Sequence, residues 1–284
     1  MGDTQQVGVE VWERLTSSPL YLDQTDARLG VEREQVERFY LPLALTLLSQ
    51  SRSVSRLMVA VAGPPGSGKT AFATILVAVI NAAAGEEVAV LVGLDGWHYP
   101  NDYLESHALE RDGERMALRS IKGAPETFDA AAAYDCLAEM RQGGQVSFPV
   151  YSRRRHEPVP GGGMVTASHR IVVVEGNYLL LDEEPWRRFR GLFDVRVFIS
   201  ASLHTLVEGL RERHRRGGKS AEVTEQHMQR VDLPNIERVL PSAARAHLLV
   251  HKADVRHIER LEWVVPLECI RPDAGAEEEF VGAI

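Results

Sequence analysis

The chain has 284 residues, 44% hydrophobic and 25% charged, enough for one large domain or two small ones around a substantial core. Its 32 basic and 40 acidic residues give a formal charge of −8, which excludes a protein that coats nucleic acid, because phosphate binding needs a basic face. No apolar run approaches the roughly 20 residues that span a bilayer. The stretch Met1 to Glu10 is too polar for a signal peptide, and two distant cysteines, Cys136 and Cys269, suit neither a disulfide scaffold nor a cysteine-rich zinc site. A cytoplasmic protein is expected.

Residues 1–56 read as helical. Val31 to Leu48 passes from a mostly polar half to an apolar half, with an expected break at Pro42. Leu57 to Ala62 is a short apolar run of the kind that forms a buried parallel strand. A glycine-rich turn follows, then a helix from about Lys69 to Ala84 that Gly85 should stop. Val88 to Leu94, Val146 to Tyr151, Ile171 to Val174, Val195 to Ile199 and, last, His247 to Val250 are further strand candidates. Asp129 to Arg141, Trp186 to Arg190 and Leu203 to Arg216 read as helices, and Pro158 to Gly163 as a loop. Strands alternating with helices predict an open α/β sheet. The expected organisation is a helical extension (1–56), one nucleotide-binding domain (57–271) and an acidic tail (272–284).

Gly63-Pro64-Pro65-Gly66-Ser67-Gly68-Lys69-Thr70 matches G-x-x-x-x-G-K-[ST] and lies between a buried strand and a helix, where a phosphate-binding loop must lie. Its backbone N–H groups and the helix N-terminus would hold phosphate oxygens. Lys69 would reach the β- and γ-phosphates and the Thr70 hydroxyl a Mg²⁺ ion. The loop alone does not separate a kinase from a GTPase, a motor or a regulatory NTPase acting on a protein partner.

Two carboxylates follow strands. Asp95 ends the Val88–Leu94 run, so it lies near the γ-phosphate if that strand neighbours the first, and it could take the proton of an attacking hydroxyl. His98, Tyr99 and Asn101, just beyond, could line a substrate pocket. Glu175 ends the Ile171–Val174 run and could hold Mg²⁺ with Thr70. Two basic islands stand out in the acidic chain. Arg211 to Lys219 holds five cations and one Glu ahead of and around Gly217-Gly218, and reads as an arginine-rich lid in which Arg211 and Arg215 are the expected catalytic cations. Arg153 to Glu157 holds three arginines and one Glu. His247 and His251 flank a strand rather than share a helix face, so a metal site is not expected there. His251-Lys-Ala-Asp254 lacks the Asn of a guanine-reading motif, but Lys252 could lie near the nucleotide base.

The phosphate loop, Asp95-Gly-Trp-His-Tyr-Pro-Asn101, Lys122-Gly-Ala-Pro-Glu-Thr-Phe-Asp129, Pro149-Val-Tyr-Ser-Arg153 and Val174-Glu-Gly-Asn177 occur in that order. Together they resemble the phosphoribulokinase, uridine kinase and type I pantothenate kinase family, over about Tyr40 to Asp254. The resemblance implies a P-loop NTPase three-layer α/β sandwich with a mainly parallel sheet, and ATP- and Mg²⁺-dependent phosphorylation of a hydroxyl on a small metabolite. It supports Asp95 as base and Glu175 near magnesium. It implies Lys122, Tyr151, Arg153 and Asn235 near the acceptor, and a homodimer as the common assembly. Pantothenate kinases carry His where this chain has Arg153. The Gly-Ala-Pro-Glu-Thr-Phe-Asp form and Asp182-Glu-Glu-Pro-Trp186 look more like fructose-type sugar or nucleoside kinases. A sugar or nucleoside-like acceptor is therefore the expectation, with pantothenate as the alternative.

Overall fold

The computed structural model describes residues 2–22, 28–111, 113–218 and 220–266; the acidic tail, Cys269 and Lys219 lie outside them. The strands are β1 (Leu57–Ala62), β2 (Ala89–Gly93), β3 (Ala108–Arg111), β4 (Glu114–Ala117), β5 (Val146–Ser152), β6 (Glu157–Val165), β7 (Ile171–Glu175), β8 (Val195–Ser200), β9 (Leu248–Lys252) and β10 (Ile258–Trp263). The α-helices are α1 (Gly2–Thr16), α2 (Arg33–Gln35), α3 (Leu41–Gln50), α4 (Lys69–Ala84), α5 (Asn101–Ser106), α6 (Ala130–Arg141), α7 (Leu203–Arg216), α8 (Ala221–His227) and α9 (Leu233–Val239).

Six strands form one sheet in the order β10-β9-β8-β1-β7-β2, parallel except for β10. Strands β1 and β7 are buried at every position, which explains why they read as unbroken apolar runs and not as alternating ones. Leu57, Val59 and Val61 face a core shared with α1, α3 and α4, while Met58, Ala60 and Ala62 face a second core shared with α6 and the 3₁₀ turn Trp186–Leu192. The result is the expected three-layer α/β sandwich. Val11, Leu15, Phe39, Leu43 and Leu47 of the N-terminal helices belong to the first core. Arg56, just before β1, is buried and donates to the carbonyls of Met140, Gly143, Gly144, Thr166 and His169, which ties the end of α6 and the β6–β7 turn to the start of an interior strand.

Three features differ from the sequence reading. Pro42 does not break its helix: a π-turn, Val36–Tyr40, widens the backbone just before it, so the proline falls in the first turn of α3, where its missing N–H is tolerated. Pro158 to Gly163 is not a loop but part of β6, paired antiparallel with β5 in a separate two-stranded ribbon. Prolines are tolerated on such an edge strand. A Cβ at Gly162 or Gly163 would overlap the side chains of Val150 or Phe148, so the glycines serve close packing within the ribbon. The strand ending near Val250 is not the last either, since β10 returns antiparallel beside β9.

Candidate active site

The phosphate loop leaves β1 through backbone that only glycine adopts comfortably. Gly66 and Gly68 have φ of +83° and +79°. A Cβ on Gly66 would overlap the Leu206 carbonyl and lie 2.9 Å from Leu210 Cγ, and one on Gly68 would lie 2.9 Å from the Val255 carbonyl. The loop is therefore closed in between α7 and the β9–β10 turn. Ser67 is fully buried, and its Oγ has no hydrogen-bond partner among the described residues.

Lys69 opens α4 and is 9% exposed; its Nζ donates to the Pro64 carbonyl at 3.3 Å. Burial pulls its pKa down to about 8, against the charges of Glu175 and Asp95, which raise it. Register pairs Val61 of β1 with Glu175 of β7, which sets that carboxylate beside the loop. The Thr70 hydroxyl donates to Glu175 Oε1 at 3.2 Å. A hydroxyl and a buried carboxylate meeting next to a lysine form an oxygen donor set that fits a hard divalent cation among phosphates.

Asp95 reaches the same centre by another route. Strand β2 does not neighbour β1, because β7 lies between them, so the condition attached to Asp95 in the sequence is not met. The chain continues past β2 into a 3₁₀ turn, Leu94–Trp97, and this carries Asp95 back to where Lys69 feels its charge. Arg153 Nη2 lies 3.8 Å from Asp95 Oδ2 and His98 Nδ1 3.9 Å from Oδ1. Burial pushes the Asp95 pKa up, but His98, Arg153, Lys69 and Arg213 together outweigh it and hold the carboxyl below the usual carboxylate range. Asp95 is thus ionised and able to accept a proton while it remains 38% exposed to an incoming molecule.

The remaining acceptor candidates form a wall next to Asp95. The His98 ring packs 3.8 Å from Phe128 and 5.2 Å from Tyr151. Tyr151 is pushed up to about 12 by burial and then by Asp95, so it stays a neutral donor. Lys122 Nζ lies 5.3 Å from the Tyr151 ring centre and donates to Asn101 Oδ1 and the His156 carbonyl. Asn235 of α9 is buried and donates to the Gly123 carbonyl, which also accepts from the Tyr178 hydroxyl. The Tyr99 ring stacks on Tyr103 at 4.2 Å, and Tyr99 lines a recess with Trp97, Phe148, Pro160 and His98, the residue it shares with the wall.

The basic island divides by helix phase. Arg211 and Arg215, four apart, share one face of α7 and pair with Glu225 and Glu212. With Glu208, Arg216, Val255 and Arg256 they line a cleft of about 490 Å³, and Val255 is the residue against Gly68. Arg213, about 200° round the helix from Arg211, is the cation whose charge reaches both Lys69 and Asp95. It donates to Asp232 Oδ1 at 3.0 Å, while His214 meets Oδ2 at 2.7 Å. Nothing in the run of arginines marks Arg213 out; only the phase of α7 does. Lys252, at the end of β9, donates to the Arg256 carbonyl at 2.8 Å, and burial lowers its pKa to about 8.

Residues 58–259 match the phosphoribulokinase / uridine kinase family. The chain belongs to that family. It is 34% identical over 226 residues to the uncharacterized protein YggC of Escherichia coli (strain K12), covering 78% of this chain and 90% of that one. It is 28% identical over 228 residues to a pantothenate kinase of Myxococcus xanthus (strain DK1622), covering 69% of each. Among solved structures, the "putative fructose transport system kinase" of Silicibacter sp. TM1040 superposes with a TM-score of 0.62 at 29% identity, over 70% of this chain and 93% of that one. Membership makes the chain an ATP-dependent phosphotransferase acting on a hydroxyl acceptor, with a divalent metal. Among the described residues no helix is long and apolar enough to cross a membrane.

Proposed function

We propose that this kinase transfers the γ-phosphoryl group of ATP to a hydroxyl of a small sugar-like metabolite, with Asp95 as the proton acceptor. The observation that carries the reading is the convergence of Lys69, Asp95 and Arg153, from three separate segments, on one centre, open on the Asp95 side, next to the Thr70–Glu175 pair. The triphosphate lies on residues 63–70, and its nucleoside end occupies the cleft beside Val255, between α7 and Arg256. Asp95 takes the hydroxyl proton as the new O–P bond forms. The bond to the β–γ bridging oxygen breaks, and ADP leaves. Lys69 and Arg213 stabilise charge on the transferring group. Thr70 and Glu175 would hold Mg²⁺, which when bound would neutralise phosphate charge.

The structural neighbour named for fructose transport favours a sugar acceptor, while the relatives named pantothenate kinase supply the second reading. The test is acceptor-dependent ADP release over sugars, nucleosides, pantothenate and glycerate. ADP release that no acceptor raises would sink the kinase assignment in favour of a regulatory NTPase.

A further inference from the structure

The wall beyond Asp95 contains two cations that converge on a single uncharged atom. Lys122 Nζ lies 2.7 Å and Arg119 Nη1 2.8 Å from Asn101 Oδ1. The second acceptor of Lys122, the His156 carbonyl at 2.8 Å, is also neutral. A carbonyl oxygen accepts a hydrogen bond from a cation without cancelling its charge, so the two like charges are left facing each other. The repulsion from Arg119 weighs more at Lys122 than the attraction of either Glu157 or Asp95. Glu157 is engaged by the Asn101 backbone N–H, at 3.0 and 3.2 Å. Glu105 is an exposed side chain 3.7 Å from Arg119 Nε. Neutral oxygens thus hold the Lys122 ammonium, and Arg119 shares one of them while its other edge meets the exposed Glu105, a pair that solvent screens.

Its position relative to Asp95 gives it a use. From Asp95 the wall runs through His98 to the Tyr151 ring, and the Lys122 ammonium stands 5.3 Å from the centre of that ring. A molecule whose hydroxyl meets Asp95 extends across Tyr151 toward Lys122 and Arg119. We infer that the acceptor carries an anionic group, a carboxylate or a phosphate, and that Lys122 and Arg119 bind it in place of the Asn101 amide oxygen. This inference rests on the kinase reading and narrows it: the acceptor is a sugar acid, a hydroxy acid or a sugar phosphate, and not a neutral sugar or nucleoside. An anionic oxygen adds to these bonds the opposite charge that the amide oxygen lacks.

The experiment measures ADP release with matched pairs of acceptors: glycerate against glycerol, gluconate against glucose, pantothenate against pantothenol, and fructose 6-phosphate and ribose 5-phosphate against the free sugars. The pairs distinguish carboxylate from phosphate. In the pair that is turned over, the anionic member should exceed the neutral one about 100-fold in kcat/KM, the equivalent of two such bonds. Lys122→Gln and Arg119→Gln should each raise the acceptor KM tenfold or more and leave the ATP KM within about twofold, and Arg119→Lys should recover part of the loss. Equal use of a neutral partner, or an acceptor KM that ignores both variants, overturns the inference while leaving the kinase reading intact. If no acceptor is turned over, the kinase reading fails, and the anion site is judged separately. Calorimetric titration of glycerate and inorganic phosphate is then done with the phosphate loop filled by a non-hydrolysable ATP analogue. Binding lost in the Lys122→Gln, Arg119→Gln double variant supports the site; no binding, or binding the double variant retains, overturns it.

Discussion

Asp95→Asn removes one charge and one proton acceptor without changing the shape of the side chain. At 3.8 Å the Asp95–Arg153 attraction would be about 4 kcal/mol at an effective dielectric of 20. Both side chains are more than a third exposed, which reduces it to about 1 kcal/mol or less. The fold should therefore survive. Nucleotide affinity should hold or improve slightly, because an anion has been taken from beside Lys69 and Arg213. The chemical step should suffer: a lost general base typically lowers the rate about 10²- to 10⁴-fold, or roughly 3–5 kcal/mol. Coupled ADP-release kinetics measure the turnover, and calorimetry the affinity for ATP. Turnover within about threefold of wild type would refute the base assignment. An ATP affinity that falls more than about tenfold would show that Asp95 serves the nucleotide site instead.

Gly66→Ala should weaken ATP binding strongly and lower the melting temperature, because a positive-φ alanine costs about 1–2 kcal/mol before its Cβ has displaced the Leu206 carbonyl; wild-type affinity by calorimetry would contradict the packing of the loop against α7. Lys69 must be charged to hold phosphates, so ATP affinity should fall as pH rises through about 8, reaching about tenfold at pH 9, and Lys69→Met should lose that dependence. In the nucleotide-free protein the sign is opposite for stability. Between about 8 and the ordinary 10.5 the unfolded chain keeps a proton that the folded chain has lost, so this group's contribution to stability grows with pH, which urea melts at several pH values would detect. Arg213→Gln should cost about 10²- to 10³-fold in kcat, and Arg211→Gln far less, with its effect in the ATP KM. Equal kcat losses would reject the division of the lid by helix phase.

Much of the site is legible in the sequence because its elements are local. The phosphate loop is eight consecutive residues, and the two carboxylates end apolar runs, so strand-end logic finds them without the fold. What stays hidden is pairwise geometry. The order β8-β1-β7-β2 is set by how helices cross the sheet, and no single strand announces its neighbours. It makes Glu175, not Asp95, the carboxylate on the strand adjoining β1, and leaves Asp95 dependent on a 3₁₀ turn. Pro158 to Gly163 carries the composition of a loop and pairs as a strand because the ribbon lets its prolines sit at an edge and needs glycines against Phe148 and Val150. Arg119 has no motif at all. It matters only because Asn101 brings it to Lys122.

The kind of oxygen that holds each cation separates the basic residues better than their number does. Arg215 and Arg216 share Glu212, and Arg211 has Glu225; these pairs largely cancel, and each is exposed enough to be screened as well. Lys69 rests on the Pro64 carbonyl, Lys252 on that of Arg256, and Lys122 on that of His156 and the Asn101 amide. A carbonyl fixes an ammonium in position without neutralising it, so its field remains available to a ligand, and partial burial strengthens that field. In a chain of formal charge −8, these three lysines are cations pre-positioned by neutral oxygens, at the phosphate loop, at the end of β9 against the carbonyl of the cleft-lining Arg256, and beside the Tyr151 ring. On the proposed binding mode the first two serve ATP. The third stands 5.3 Å from the Tyr151 ring centre, on the acceptor wall, and under the proposal above it is left to an anionic group of the acceptor.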